Sequence, residues 1–82
     1  MTQASRTQKQ LGAALRRYRK KLGVSQEELG SRISKRQATV SNLEADGSGT
    51  LETLFAVLSA LELELVIQPR SKSDGLKLGD IF

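Results

Sequence analysis

The stretch from Ser25 to Glu44, SQEELGSRISKRQATVSNLE, constrains the fold more than any other part of the chain. Ser25-Gln26-Glu27-Glu28 has the form of a capping box, in which the Ser25 hydroxyl accepts from the Glu28 amide and the Glu28 carboxylate reaches back. The spacing predicts a helix from about Gln26, with Leu29 and Ile33 four residues apart on its inner face. Gly30 falls where a second helix can press against the backbone. After a break around Ser34 to Arg36 the pattern restarts, with Val40 and Leu43 as the buried positions. Two helices this short cannot fold alone, and the expectation is that they cross steeply through Gly30. That is the spacing of a helix-turn-helix, whose second helix enters the DNA major groove. The outward residues of the second helix, Gln37, Ala38, Ser41 and Asn42, are short and mostly polar, as such a role requires.

Eighty-two residues make one small domain. A core of ~60 residues buries only about 60% of its unfolded surface, so a domain of that size is marginal alone. The chain has no Cys, and therefore no disulfide or thiolate metal site to staple it. It has no His either, which removes the usual zinc ligand and the commonest general acid–base group. No metal and no cofactor are expected. Oligomerisation is the remaining way to add buried area. No apolar run approaches the ~20 residues of a membrane span, and no secretory signal is present, so the expected location is the cytoplasm, without membrane contact.

The net charge of +4 is divided along the chain. Residues 1–36 hold ten Lys/Arg against Glu27 and Glu28, a net of +8, whereas residues 37–82 hold three against seven acids, a net of −4. Such asymmetry suggests one end that faces a polyanion and another that faces something else. A basic helix face is by itself more often only a solvated surface; beside a helix-turn-helix pattern the balance reverses.

The chain reads as four helices, one strand and two loose ends. Residues 1–6 are polar and expected to fray. Leu11, Leu15, Tyr18 and Leu22 recur at helical spacing and predict a first helix from about Thr7 to Leu22, with Arg16, Arg17, Arg19, Lys20 and Lys21 on its outer face. Gly23 is a natural C-terminal stop, and Asp46-Gly47-Ser48-Gly49 reads as loop. Thr50 can cap a fourth helix whose apolar stripe is Leu51, Leu54, Phe55, Leu58 and Leu61, most simply the core.

From Glu62 to Gln68 the period changes to two, with Leu63, Leu65 and Ile67 on one side, the pattern of a short strand. No second strand is available in the same chain, and a lone strand leaves its backbone unpaired. Pairing with the same strand of a second copy answers both this and the small core, so a symmetric homodimer is expected. The alternative is a last helical turn followed by an extended linker. Pro69 closes the strand and Arg70 to Gly75 has linker composition. Residues 69–82 are then a flexible tail that ends in Leu76, Leu78, Ile81 and Phe82, and disordered tails usually lack such large apolar groups. Two readings are open for them: a short motif that orders on a partner or marks the chain for a protease, or a segment folded back on the domain.

Across residues 8 to 68 the chain resembles the Xre/Cro–cI class of helix-turn-helix proteins and, within it, the HipB antitoxins, DNA-binding partners of HipA-type serine/threonine kinase toxins. The resemblance is carried by Arg36-Gln37-Ala38-Thr39-Val40-Ser41-Asn42-Leu43-Glu44, by Thr50 to Phe55 and by Ser59 to Leu63. It implies an all-α, lambda-repressor-like domain of four helices over residues 7–68, plus the C-terminal β-strand paired across a homodimer. Two second helices would then occupy successive major grooves of a palindromic double-stranded operator, ~34 Å apart. Carried over by position, Gln37, Ala38 and Ser41 face base edges, with Arg36 at the helix start. Gln37 suits adenine, Ala38 and the Thr39 methyl suit thymine, and Arg36 suits guanine or a phosphate. Ser25 and Gln26 suit phosphate at a helix N-terminus. Lys35, Thr39 and Asn42 complete the backbone-facing set. Where the family's turn usually carries Gly and an apolar residue, this chain has Ser34 and Lys35. Ser34 is then expected to cap the next helix through Gln37, and Lys35 to reach solvent or phosphate.

Three functional readings follow. One is an autorepressor that binds its operator and a HipA-like kinase through its acidic, apolar C-terminal half. A second is a free-standing repressor without a toxin. A third is an interaction module that holds a kinase inactive, and the polar face of Gln37, Ser41 and Asn42 beside so many cations speaks against it. Nothing supports an enzyme: Glu27 and Glu28 are adjacent on a helix and diverge, and no Gly-rich loop cradles phosphate.

Overall fold

The computed structural model describes residues 4–70, which hold four helices: α1 (Gln8–Lys21), α2 (Gln26–Arg32), α3 (Gln37–Asp46) and α4 (Leu51–Ala60). The tail residues Leu76, Leu78, Ile81 and Phe82 lie outside the described residues.

Each helix begins where a side chain satisfies its free amides, with one exception. Thr7 caps α1 through the Gln10 amide (3.0 Å), and the Gln10 side chain accepts from the Arg6 amide (2.7 Å). Ser25 caps α2 through the Glu28 amide (3.0 Å), but Glu28 does not reach back. Its carboxylate pairs with Arg32 one turn on, 3.1 Å away, because the opposite charge at i+4 is a better partner than an already solvated amide. Thr50 caps α4 through the Thr53 amide (3.1 Å). The exception is α3, whose cap residue is Arg36 and has no side-chain cap bond.

The expected Ser34 cap is replaced by something else. Ser34 has φ +58°, the left-handed conformation that ends α2, and the Lys35 amide donates back to the Gly30 carbonyl at 2.8 Å. Ser34 thus occupies the bend where Gly is the easiest residue, and the cap position of α3 falls to Arg36. The stop after α1 follows the same logic with Gly23 at φ +74°. At the far end of α3, Asp46 is helical and Gly47, at φ +77°, forms the cap, its amide donating to the Leu43 carbonyl at 2.8 Å. The Asp46 carboxylate accepts from Ser48, whose hydroxyl and amide hold its pKa below the ordinary value.

α1 and α2 both pack on α3, and α4 closes the far side against α2. One core results, built from Leu15, Val24, Leu29, Val40, Leu43, Leu54, Val57, Leu58 and Leu61. The approach of α1 to α3 needs Gly12, since a Cβ there would meet the Glu44 carbonyl oxygen at 2.8 Å and press on that of Leu43. Gly30 serves the turn in the same way: a Cβ would meet the Lys35 carbonyl oxygen at 2.8 Å.

The apolar stripe of α4 is narrower than its sequence suggests. Leu54, Leu58 and Leu61 are buried with Val57, whereas Leu51 is 71% and Phe55 51% exposed. A helix on the rim of so small a core can cover only part of its circumference, so the flank at Leu51 and Phe55 is left to solvent. Leu22, at the end of α1, is likewise exposed. α4 ends at Ala60 with Leu61 as its cap, and Glu62 (φ +58°) lets the Leu63 amide donate to the Leu58 carbonyl at 2.7 Å. After that turn, among the described residues, no helix or strand follows. Leu63 packs on the core, while Leu65, Val66 and Ile67 are exposed, Ile67 by 94%.

Candidate nucleic-acid interface

α3 has two unlike faces. Val40, Leu43 and Glu44 are buried, and the opposite side carries Gln37, Ala38, Asn42 and Ala45, all exposed. Thr39 and Ser41 are half-buried at the edges between them. The residues expected to read bases therefore share one solvent-facing surface, with Arg36 exposed at its N-terminal end and Ser41 on the flank towards α1. Ser25 is exposed, Gln26 half-buried, and Lys35 sits 3.9 Å from the Glu52 carboxylate.

What holds this surface in place is an interaction that the linear pattern conceals. Arg19, on the expected outer face of α1, is buried: Nε donates to Glu44 Oε2 at 2.6 Å and Nη2 to Oε1 at 3.0 Å. Its remaining nitrogen, Nη1, donates to the Val24 carbonyl at 2.8 Å, so the fork ties α1 to α3 and to the start of α2. Planar guanidinium and carboxylate match in a two-point pair, the strongest geometry available to a side-chain ion pair. Among the described residues no buried side-chain polar atom lacks a partner.

The network then leaves the core and reaches the surface. Gln26 donates its amide to Glu44 Oε1 at 3.0 Å, and Gln37 donates to Gln26 Oε1 at 3.4 Å. Gln26 is thus engaged on both sides within the protein, between a fixed carboxylate and the exposed Gln37 of α3. A signal for the pair was present in the sequence. Arg19 stands four residues beyond Leu15 and Glu44 four beyond Val40, so each charge lies on a buried stripe, and the two are opposite in sign.

The family model described as helix-turn-helix matches residues 15–67. Antitoxin HipB of Escherichia coli K12 is 39% identical over 59 residues, 71% of this chain and 67% of that protein. Among solved structures, a HipB–O4 20mer complex superposes with a TM-score of 0.78 at 34% identity, covering 85% of this chain and all of that one. A HipA–HipB–O2–O3 complex gives the same TM-score of 0.78, identity of 34% and coverage of 85%.

The buried pair makes an energetic prediction. Arg19→Leu leaves Glu44 buried without its countercharge and is expected to cost ~3–5 kcal/mol in urea unfolding. The double variant Arg19→Leu/Glu44→Leu should recover much of that loss, because it removes both desolvated charges together. A double variant no more stable than the single one would show that the pair is not coupled.

Proposed function

This chain belongs to the helix-turn-helix family, among the HipB-type antitoxins, and on that premise we propose that it represses transcription from a palindromic operator and neutralises a HipA-like serine/threonine kinase. The observation that carries the reading is the exposed row Gln37, Ala38 and Asn42, flanked by Ser41, on a helix whose other face is locked into the core. Gln37 reads a base edge, adenine being the match for its paired donor and acceptor. Ala38 and Ser41 line the same surface, and Arg36 at the helix start takes guanine or phosphate. Ser25, Gln26, Lys35, Thr39 and Asn42 hold the sugar–phosphate backbone and set the register of α3 in the groove. Gln26, engaged by Glu44 and Gln37, still has a second amide hydrogen to offer a phosphate. The chain has no enzymatic role in this scheme. It works in the cytoplasm at the nucleoid, and among the described residues no helix is long and apolar enough to cross a membrane.

The repressor acts as a homodimer in which Leu63, Leu65 and Ile67 lie on a strand paired across the two-fold. Three exposed apolar residues in a row, Leu65, Val66 and Ile67, are costly in a monomer and favour such pairing. Residues 7–68 form the DNA-binding and dimerisation unit, and residues 69–82 the tail. Leu76, Leu78, Ile81 and Phe82 supply the tail's contact with the kinase. The second reading, a repressor without a toxin, has no comparable support, since the similarity is to HipB itself.

Three outcomes test these assignments. Gln37→Ala should weaken operator binding by ~1–3 kcal/mol and relax preference at one base pair; undiminished sequence preference would mean that α3 sits in another register. Leu65→Lys should yield monomers by light scattering, and an unaltered dimer mass would eliminate strand pairing. The full chain co-expressed with a kinase encoded beside it should co-elute with that kinase and suppress its toxicity, and a copy truncated after Pro69 should do so less well. Unimpeded toxicity with the full chain would leave only the repressor.

A further inference from the structure

α1 and α3 enclose an open groove of about 600 Å³ that lies beside the proposed base-reading face. One wall is Lys9, Ala13, Arg16, Arg17 and Lys20 of α1, and the other is Ser41 and Ala45 of α3 with Gln26 at the end. Lys9, Arg16 and Lys20 are spaced by seven and four residues, so they stand in one row along the helix. At 1.5 Å rise per residue, that row extends about 16 Å. The only carboxylate in the groove is Glu44, whose side chain is 3% exposed and already bound by Arg19 and Gln26. The potential there is therefore set by α1's four cations.

Those cations differ from Arg32, Lys35 and Lys21. Arg32 is paired with Glu28 and Lys35 with Glu52, at 3.1 and 3.9 Å. Lys21 lies over the Tyr18 ring, 5.9 Å from its centre. Among the described residues Lys9, Arg16, Arg17 and Lys20 have no acidic partner. All four are exposed. Four like charges gathered without a counterion repel one another, and a polyanion laid along them relieves that repulsion.

We propose that this groove is a second backbone-binding site, in which Lys9, Arg16 and Lys20 hold successive phosphates of the DNA strand that borders α3. The inference rests on the DNA-binding reading and extends the footprint from the motif onto α1. An extended row of exposed cations suits a polymer with regularly repeated charge, which pays for the loose grip on any single phosphate with several contacts at once. A small free anion would find no buried donor here to fix it. Ser41, shared by the groove and the exposed face of α3, links the two parts of the interface: a strand held by α1 passes directly beside the bases that α3 reads.

The test is the salt dependence of binding. Fluorescence anisotropy is measured with a duplex selected from a random library by the wild-type chain, and with a random-sequence duplex. Lys9→Gln, Arg16→Gln and Lys20→Gln should each lower the slope of log K against log salt by about 0.9 on both duplexes, and the triple variant by roughly 3 per bound chain. Sequence preference should survive, and circular dichroism should match the wild type, because the three side chains are exposed. Lys21→Gln, outside the groove, should leave the slope as it is. Unaltered slopes in the groove variants with normal wild-type binding would overturn the α1 site alone. An equal loss from Lys21→Gln would overturn it as well, since the effect would then be one of overall charge. A wild-type chain that binds neither duplex would overturn the DNA-binding reading and this site with it.

Discussion

The Arg19–Glu44 pair is where the parts of this small domain meet. Its two bonds join the last turn of α1 to the last turn of α3, and a third bond from the same guanidinium fixes the carbonyl of Val24 just before α2 begins. An ion pair of this kind adds little net stability, because both charges lose their water. What it contributes is geometry. A carboxylate held by a planar fork cannot rotate, and Glu44 passes that restraint to Gln26 and, more loosely, to Gln37. The candidate base-reading residue thus stands at the end of a chain of hydrogen bonds rooted in the core. Preorganisation of this kind lowers the entropy lost when a side chain must adopt one orientation on a partner.

Close backbone approach is the second requirement. Glycine at position 12 lets α1 reach the end of α3, and glycine at position 30 lets the turn fold back on α2. With the helices this near, nine aliphatic side chains suffice for a continuous core. The same economy leaves a remainder. Leu51, Phe55, Leu65, Val66 and Ile67 stay in contact with water. All belong to α4 or the segment after it, and Leu22, just past α1, is exposed as well.

Local signals made most of the elements legible. Ser25 and Thr50 cap the helices they were expected to cap, and Gly23 ends α1, because an N-cap or a left-handed stop depends on a few neighbouring residues. Where two local signals competed, sequence was a poorer guide. Glu28 had both the capping-box amide and Arg32 within reach, and the ion pair won. Ser34 could cap or bend, and the need to close α2 onto Gly30 made it bend.

By itself the sequence determined the number and order of the helices, their approximate extents, and most of the residues of α3 that point outwards, since these follow from periodicity and capping over a turn or two. Only the tertiary structure decided that Arg19 is buried, that Leu51 and Phe55 are not, and that Glu44, Gln26 and Gln37 form one network. A helical stripe shows which side of a helix is apolar; its width on the core depends on the neighbours that arrive from elsewhere in the chain. Arg19 and Glu44 are 25 residues apart, and a charge on an apolar stripe becomes a satisfied core residue only once folding brings its opposite to meet it.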